Sequence, residues 1–240
     1  MRLLLFLFLS LVSRPAFAGQ HAVYVDPDGK RLMVDVADDG SARFLAEGEQ
    51  NYGLWRDGQF YIVNRDEGPL TVMRINDLAA AADQVAAAAG NTAAKPPDRQ
   101  GETMRVEPKG QRRIAGHDGQ VFAVFGILKE SPGTGIEFVT TREPALQALG
   151  RAMEQFMLSD MILAHDHEMA AGTRAIFATG APLDLGGLLV LASLETSDVP
   201  AAAVALPAEP ETIAEIVAAL KAGDPEVQAV DEPMPPPGET

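Results

Sequence analysis

Between residues 21 and 75, apolar and polar side chains alternate with a period of two, and clusters of Gly, Asp, Asn and Pro interrupt the alternation every few residues. Such alternation puts one set of side chains on each side of a pleated strand, so it predicts strands rather than helices. Strands are predicted over 21–25, 30–37, 41–47, 52–56, 59–64 and 70–75. Turn signals separate them, among them Asp26-Pro27-Asp28-Gly29, Asp38-Asp39-Gly40 and Asp57-Gly58. Asp57-Gly58 is the sharpest, because a type I′ hairpin turn needs positive φ at both central residues. Short turns join strands that pair antiparallel. The chain therefore opens as an antiparallel meander with one face to bury.

Asn76 or Asp77 can cap an Ala-rich helix that runs through Ala89 and stops at Gly90. Residues 91–103 contain Pro96-Pro97 and read as a mobile linker. Period-two structure returns over 103–109, 112–115, 120–128 and 136–140, with turns at Gly110 and at His117-Asp118-Gly119. Residues 120–128 are almost wholly apolar, which predicts a strand covered on both faces. Thr141 can cap a long helix, with Pro144 in its first turn and an apolar stripe of Leu146, Leu149, Met153, Phe156, Met157 and Met161. That helix is expected to end by Ala171-Gly172. Strands are predicted over 174–179, 188–194 and 202–206, and a final amphipathic helix over 210–222. Residues 223–240 are rich in Pro and acids and read as a disordered tail.

Residues 1–18 read as a cleavable export signal. Arg2 supplies the positive start, residues 3–12 the apolar run, and Ala16-Phe17-Ala18 the small residues that signal peptidase accepts, so cleavage is expected after Ala18 and a periplasmic location follows. An apolar run of ten residues is half of what a membrane span needs. No later segment is long and apolar enough, so no transmembrane segment is expected in the mature chain. The full chain has 19 Lys+Arg against 34 Asp+Glu, a formal charge of −15. Cleavage removes Arg2 and Arg14 and no acid, which takes the charge to −17. Such a surface repels phosphate backbones, so nucleic acid is not an expected partner. With no Cys in the chain, disulfides, thiolate metal sites and thiol nucleophiles are excluded. Residues 19–222 are expected to form a single domain.

His165-Asp166-His167-Glu168 is the one cluster with metal-ligand chemistry. On a helix His165 and His167 point apart, and His165 with Glu168 supplies only two ligands. A solvated helix end is the simpler reading, and a metal-dependent hydrolase using His165, His167 or Glu168 is the weakest functional alternative. His117-Asp118 lacks a nucleophile of the G-x-S-x-G kind. The glycines of residues 131–135 lack the lysine of a phosphate loop. No catalytic residue and no cofactor is expected.

The segments Asp28-Gly29-Lys30, Asp57-Gly58-Gln59-Phe60-Tyr61-Ile62-Val63, Arg113-Ile114-Ala115-Gly116-His117-Asp118-Gly119-Gln120-Val121-Phe122-Ala123-Val124 and Gly180-Ala181-Pro182-Leu183 resemble the periplasmic outer-membrane lipoprotein carrier superfamily and its uncharacterised sister domains, over roughly residues 22–207. The resemblance implies an α+β fold, an incomplete antiparallel β-barrel (a half-barrel) covered by helices. It also implies a non-enzymatic protein that holds an apolar or lipidated partner in the half-barrel cavity. From the expected pleat, Met33, Phe44, Leu54, Phe60, Ile62, Phe122 and Val124 would line that cavity, with Phe156 and Met157 beneath the helical lid. The alternative is a structural or interaction module of the cell envelope with a filled core. A cavity separates the two.

Overall fold

A computed structural model describes residues 19–65, 68–90, 104–126 and 135–223. The expected signal at 1–18, the linker at 91–103 and the tail from 224 onward lie outside the described residues. Among the described residues eleven strands form one sheet: β1 Gln20–Val25, β2 Arg31–Val36, β3 Ala42–Ala46, β4 Tyr52–Arg56, β5 Gln59–Asn64, β6 Thr71–Arg74, β7 Arg105–Ile114, β8 His117–Phe125, β9 Ile136–Thr141, β10 Ala181–Asp184 and β11 Val190–Thr196. Four α-helices accompany them among the described residues: α1 Ile75–Ala88, α2 Gln147–Leu163, α3 His167–Phe177 and α4 Ile213–Lys221. The strand order is β6-β5-β4-β3-β2-β1-β11-β10-β9-β8-β7, every pairing is antiparallel, and β6 and β7 do not meet. The protein is thus an α+β fold built on an open antiparallel sheet, the class the resemblance implies, and its first meander is the one the alternation predicts.

Two meanders make this sheet. The first runs β1 to β6 without a crossover. After α1 the chain reappears at the far edge as β7 and works back through β8, β9 and β10 to β11, which closes on β1. The β4–β5 turn has the predicted geometry, with Asp57 at φ 51° and Gly58 at φ 75°. Register then follows from a two-residue loop: Trp55 faces Phe60, Leu54 faces Tyr61 and Gly53 faces Ile62.

Several expected boundaries move. β7 continues through Gly110, with a bulge between Pro108 and Gly110. The hairpin turns at Ala115 and Gly116, both at positive φ, rather than at Asp118-Gly119. Gly119 serves close packing instead: a Cβ there would lie 2.5 Å from Val139 Cγ1. Neither Asn76, Asp77 nor Thr141 caps a helix. α1 starts at Ile75 with Asp77 in its first turn, and Thr141 ends β9. The expected helix from 141 to 171 is two helices. His165 adopts φ 51° while the His165 and Asp166 N–H groups donate to the Ile162 and Met161 carbonyls, a Schellman end with histidine in the usual glycine place. Asp166 then caps α3, accepting from Met169 N at 2.8 Å. The strand expected over 174–179 falls largely inside α3, because Ala170, Thr173 and Ile176 form one buried stripe at helical spacing. Residues 202–206 carry the end of a 3-10 turn, Ala201–Val204, instead of a strand. α4 forms as expected, with Thr212 and Glu215 making a reciprocal capping box.

Candidate functional site

Cross-strand register decides which side chains meet beneath the helices. Ala22, Val34, Phe44, Gly53, Ile62 and Met73 lie opposite one another in sequence across β1 to β6, so they share one face. α2 packs over that face. Its Leu149, Ala152 and Met153 are buried in the same cluster as Tyr24, Val34, Phe44 and Phe60. Phe156 stacks on Phe44 with ring centroids 4.9 Å apart, and Phe60 completes a trio at 5.7 Å from Phe44 and 6.2 Å from Phe156. Gly53 makes room for it: a Cβ there would lie 2.6 Å from Phe60 Cζ. At this point the space between sheet and helix is taken by the protein's own rings.

Of the nine residues expected to line a cavity, Phe44, Phe60, Ile62, Val124, Phe156 and Met157 belong to or pack against this interior. Met33 does not. It lies opposite Val23 and Leu45, one residue out of step with Val34, and is half-buried on the other face. Leu54 is fully buried, but on the outer face with Tyr61, Val63 and Val72, beneath Leu206. Phe122 is half-buried and lines an open depression of about 440 Å³ with Gln111, Asp118, Gln120, Thr140 and Arg142. Trp55, absent from the expected set, takes the inward place next to Gly53. The two-residue turn at Asp57-Gly58 was the signal for that: once Phe60 points inward, its partner Trp55 must too.

Polar groups around the interior mostly find partners at close range, although Gln20 Oε1 is buried with no hydrogen-bond partner among the described residues. Tyr24 is fully buried and its hydroxyl donates to the Pro182 carbonyl at 2.8 Å, and burial pushes the hydroxyl pKa up, keeping it protonated. A second depression of about 450 Å³ lies between α2 and the end of α3, lined by Arg142, Arg151, Glu154, Phe177 and Thr179 among others. Burial pushes the Glu154 carboxyl up, and Arg174 partly offsets this. On the outer face, Asp35 accepts from Arg43 Nη2 at 2.7 Å and meets His21 Nδ1 at 2.5 Å.

The histidine cluster does not assemble a metal centre. Among the described residues no three His, Asp or Glu side chains converge as ligands. His165 turns to α1, its Nε2 3.1 Å from Asp83 Oδ1, while His167 and Glu168 open α3 and are exposed. Asp118, read as part of a turn, lies within β8 and pairs with Arg113 at 3.3 Å. No described helix is long and apolar enough to cross a membrane.

No protein-family model matches the sequence, and no curated protein matches it. Among solved structures, the crystal structure of MucB superposes with a TM-score of 0.34 at 18% identity, over 81% of this chain and 59% of that one. The chain therefore spans less than two thirds of that neighbour's length, and so loose a superposition identifies neither a family nor a function.

Proposed function

We propose that this chain is a non-enzymatic binding module of the cell envelope that engages its partner through its folded surface. The carrying observation is the Phe44–Phe60–Phe156 trio, whose rings fill space between α2 and the sheet. The export signal read at residues 1–18 supports the compartment. Among the described residues no three His, Asp or Glu side chains converge as metal ligands, which gives no support to a metal-dependent hydrolase. Native mass spectrometry of gently purified mature protein tests this reading. The expected spectrum is dominated by the bare polypeptide mass. A stoichiometric lipid adduct that survives gentle ionisation overturns it.

A second reading has one observation in its favour. Phe156, Met157, Met161 and Leu163 on α2 are only half-buried, and unbranched thioethers repack at low cost. An apolar or lipidated ligand could enter beneath α2 by displacing Phe156, each buried methylene contributing about 0.8 kcal/mol. The same adduct that sinks the first reading supports this one.

A further inference from the structure

The sheet ends in two strands with one neighbour each, and they are finished differently. β6 has four residues, and the chain itself meets its outer side, Glu211 N–H donating to the Val72 carbonyl at 2.8 Å. β7 has ten residues, and every position from Pro108 to Arg113 is exposed. Among the described residues no strand pairs with its outer side. A long unpaired edge offers a row of backbone donors and acceptors to another strand.

Charge says which strand. β7 carries Arg105, Lys109, Arg112 and Arg113 against Glu107 alone, in a chain where acids outnumber bases 34 to 19. Arg113 pairs with Asp118 at 3.3 Å, but both are largely exposed, and such pairs hold weakly. Lys109 has no carboxylate partner among the described residues and lies 5.9 Å from the centre of the Phe125 ring. Arg142, in the depression beside β7, donates its Nε to the Thr179 carbonyl at 3.1 Å and likewise has no carboxylate partner among the described residues. Two copies docked through β7 would set cations against cations, which disfavours self-pairing. The same cations favour a partner strand rich in carboxylates. Pro108 has no N–H and the bulge bends the strand beside it, so the regular stretch for docking is residues 110–114.

We propose that β7 accepts an extended acidic segment of a partner protein as a further strand of the sheet, paired along residues 110–114. Lys109 and Arg113 lie along that edge, and the depression of Gln111, Phe122 and Arg142 receives one side chain of the guest. Backbone pairing supplies the register and the cations select the sequence. This rests on the surface-binding reading above, and names its site and partner class.

The test titrates isotopically labelled mature protein with a capped peptide of alternating glutamate and threonine, following amide shifts and hydrogen exchange. Expected are shifts and slowed exchange confined to β7 and its neighbours. A lysine–threonine peptide should leave both unchanged, as should the acidic peptide N-methylated at alternate residues. A Lys109→Glu/Arg113→Glu variant with an unchanged circular dichroism spectrum should bind about tenfold more weakly. Absence of β7 protection overturns the proposal, and so does binding that survives N-methylation. Protection that grows with protein concentration in the absence of peptide shows a second copy as the occupant and also overturns it. A lipid-free protein that ignores the peptide removes only this site and leaves the filled interior standing.

Discussion

On strands β1 to β6, the face beneath α2 presents Ala22, Val34, Phe44, Gly53 and Phe60, whereas the opposite face presents Leu54, Tyr61, Val63 and Val72 beside the His21–Asp35–Arg43 network. The inner face is closed by a helix through stacked rings. The outer one is closed by a short segment: the 3-10 turn Ala201–Val204 lies over β2 to β4, Arg56 donates to the Val204 carbonyl at 3.2 Å, and Leu206 covers the apolar patch. A meander of strands with large side chains on both faces cannot leave either bare. The difference teaches that exclusion of water on the outer face depends on the stretch between β11 and α4, not only on the helices.

Truncating the rings should have the largest effect. Phe44→Ala removes the ring that both Phe60 and Phe156 touch, and should cost about 3–5 kcal/mol in chemical denaturation. Leu54→Ala sharpens the comparison from the other side. Leu54 is fully buried, so the same measurement should show a loss of about 2–4 kcal/mol. A loss near zero would mean that the outer segment does not close that face in solution. Tyr24→Phe leaves the buried Pro182 carbonyl without its donor and should cost about 1–2 kcal/mol, with no change in circular dichroism. The smallest effect belongs to the rim. Asp39 accepts from the Ser41 backbone N–H, which holds its carboxyl below the ordinary value. A depressed carboxylate stabilises the fold above its unfolded pKa of about 4, and that contribution disappears as pH falls through the folded value. Asp39→Asn should therefore lower stability slightly at neutral pH and flatten its decline below about pH 4, as read by denaturation across a pH series.

Much of the fold was legible because its signals are local. Period-two patterning and Asp57-Gly58 sufficed for the first meander, and the stripe from Leu146 to Phe156 sufficed for α2. What failed depended on long-range packing. Gly119 resembles a turn residue in sequence but exists to let Val139 and Leu183 approach. Residues 174–177 look β-prone, yet Ile176 completes a buried stripe once Asp166 has capped α3. The site was half legible. Phe44, Phe60 and Ile62 do face inward, but Leu54 cannot join them: residues paired across a two-residue hairpin share a face, so inward Phe60 fixes Trp55 inward and Leu54 outward. Met33 failed by the same one-residue step against Val34. Alternation over 103–109 and 112–115 predicts strand structure in β7, but nothing in that local pattern marks it as an unpaired edge of the sheet.

On the surface-binding reading, Phe156 seals α2 onto Phe44 and no guest enters between them, which xenon-pressurised NMR of the mature protein can decide. The signals of Leu149 and Met153 should stay unmoved by xenon in the natural protein and shift in Phe156→Ala, where the lost ring opens an apolar void. Xenon-dependent shifts at those residues in the natural protein would contradict the account.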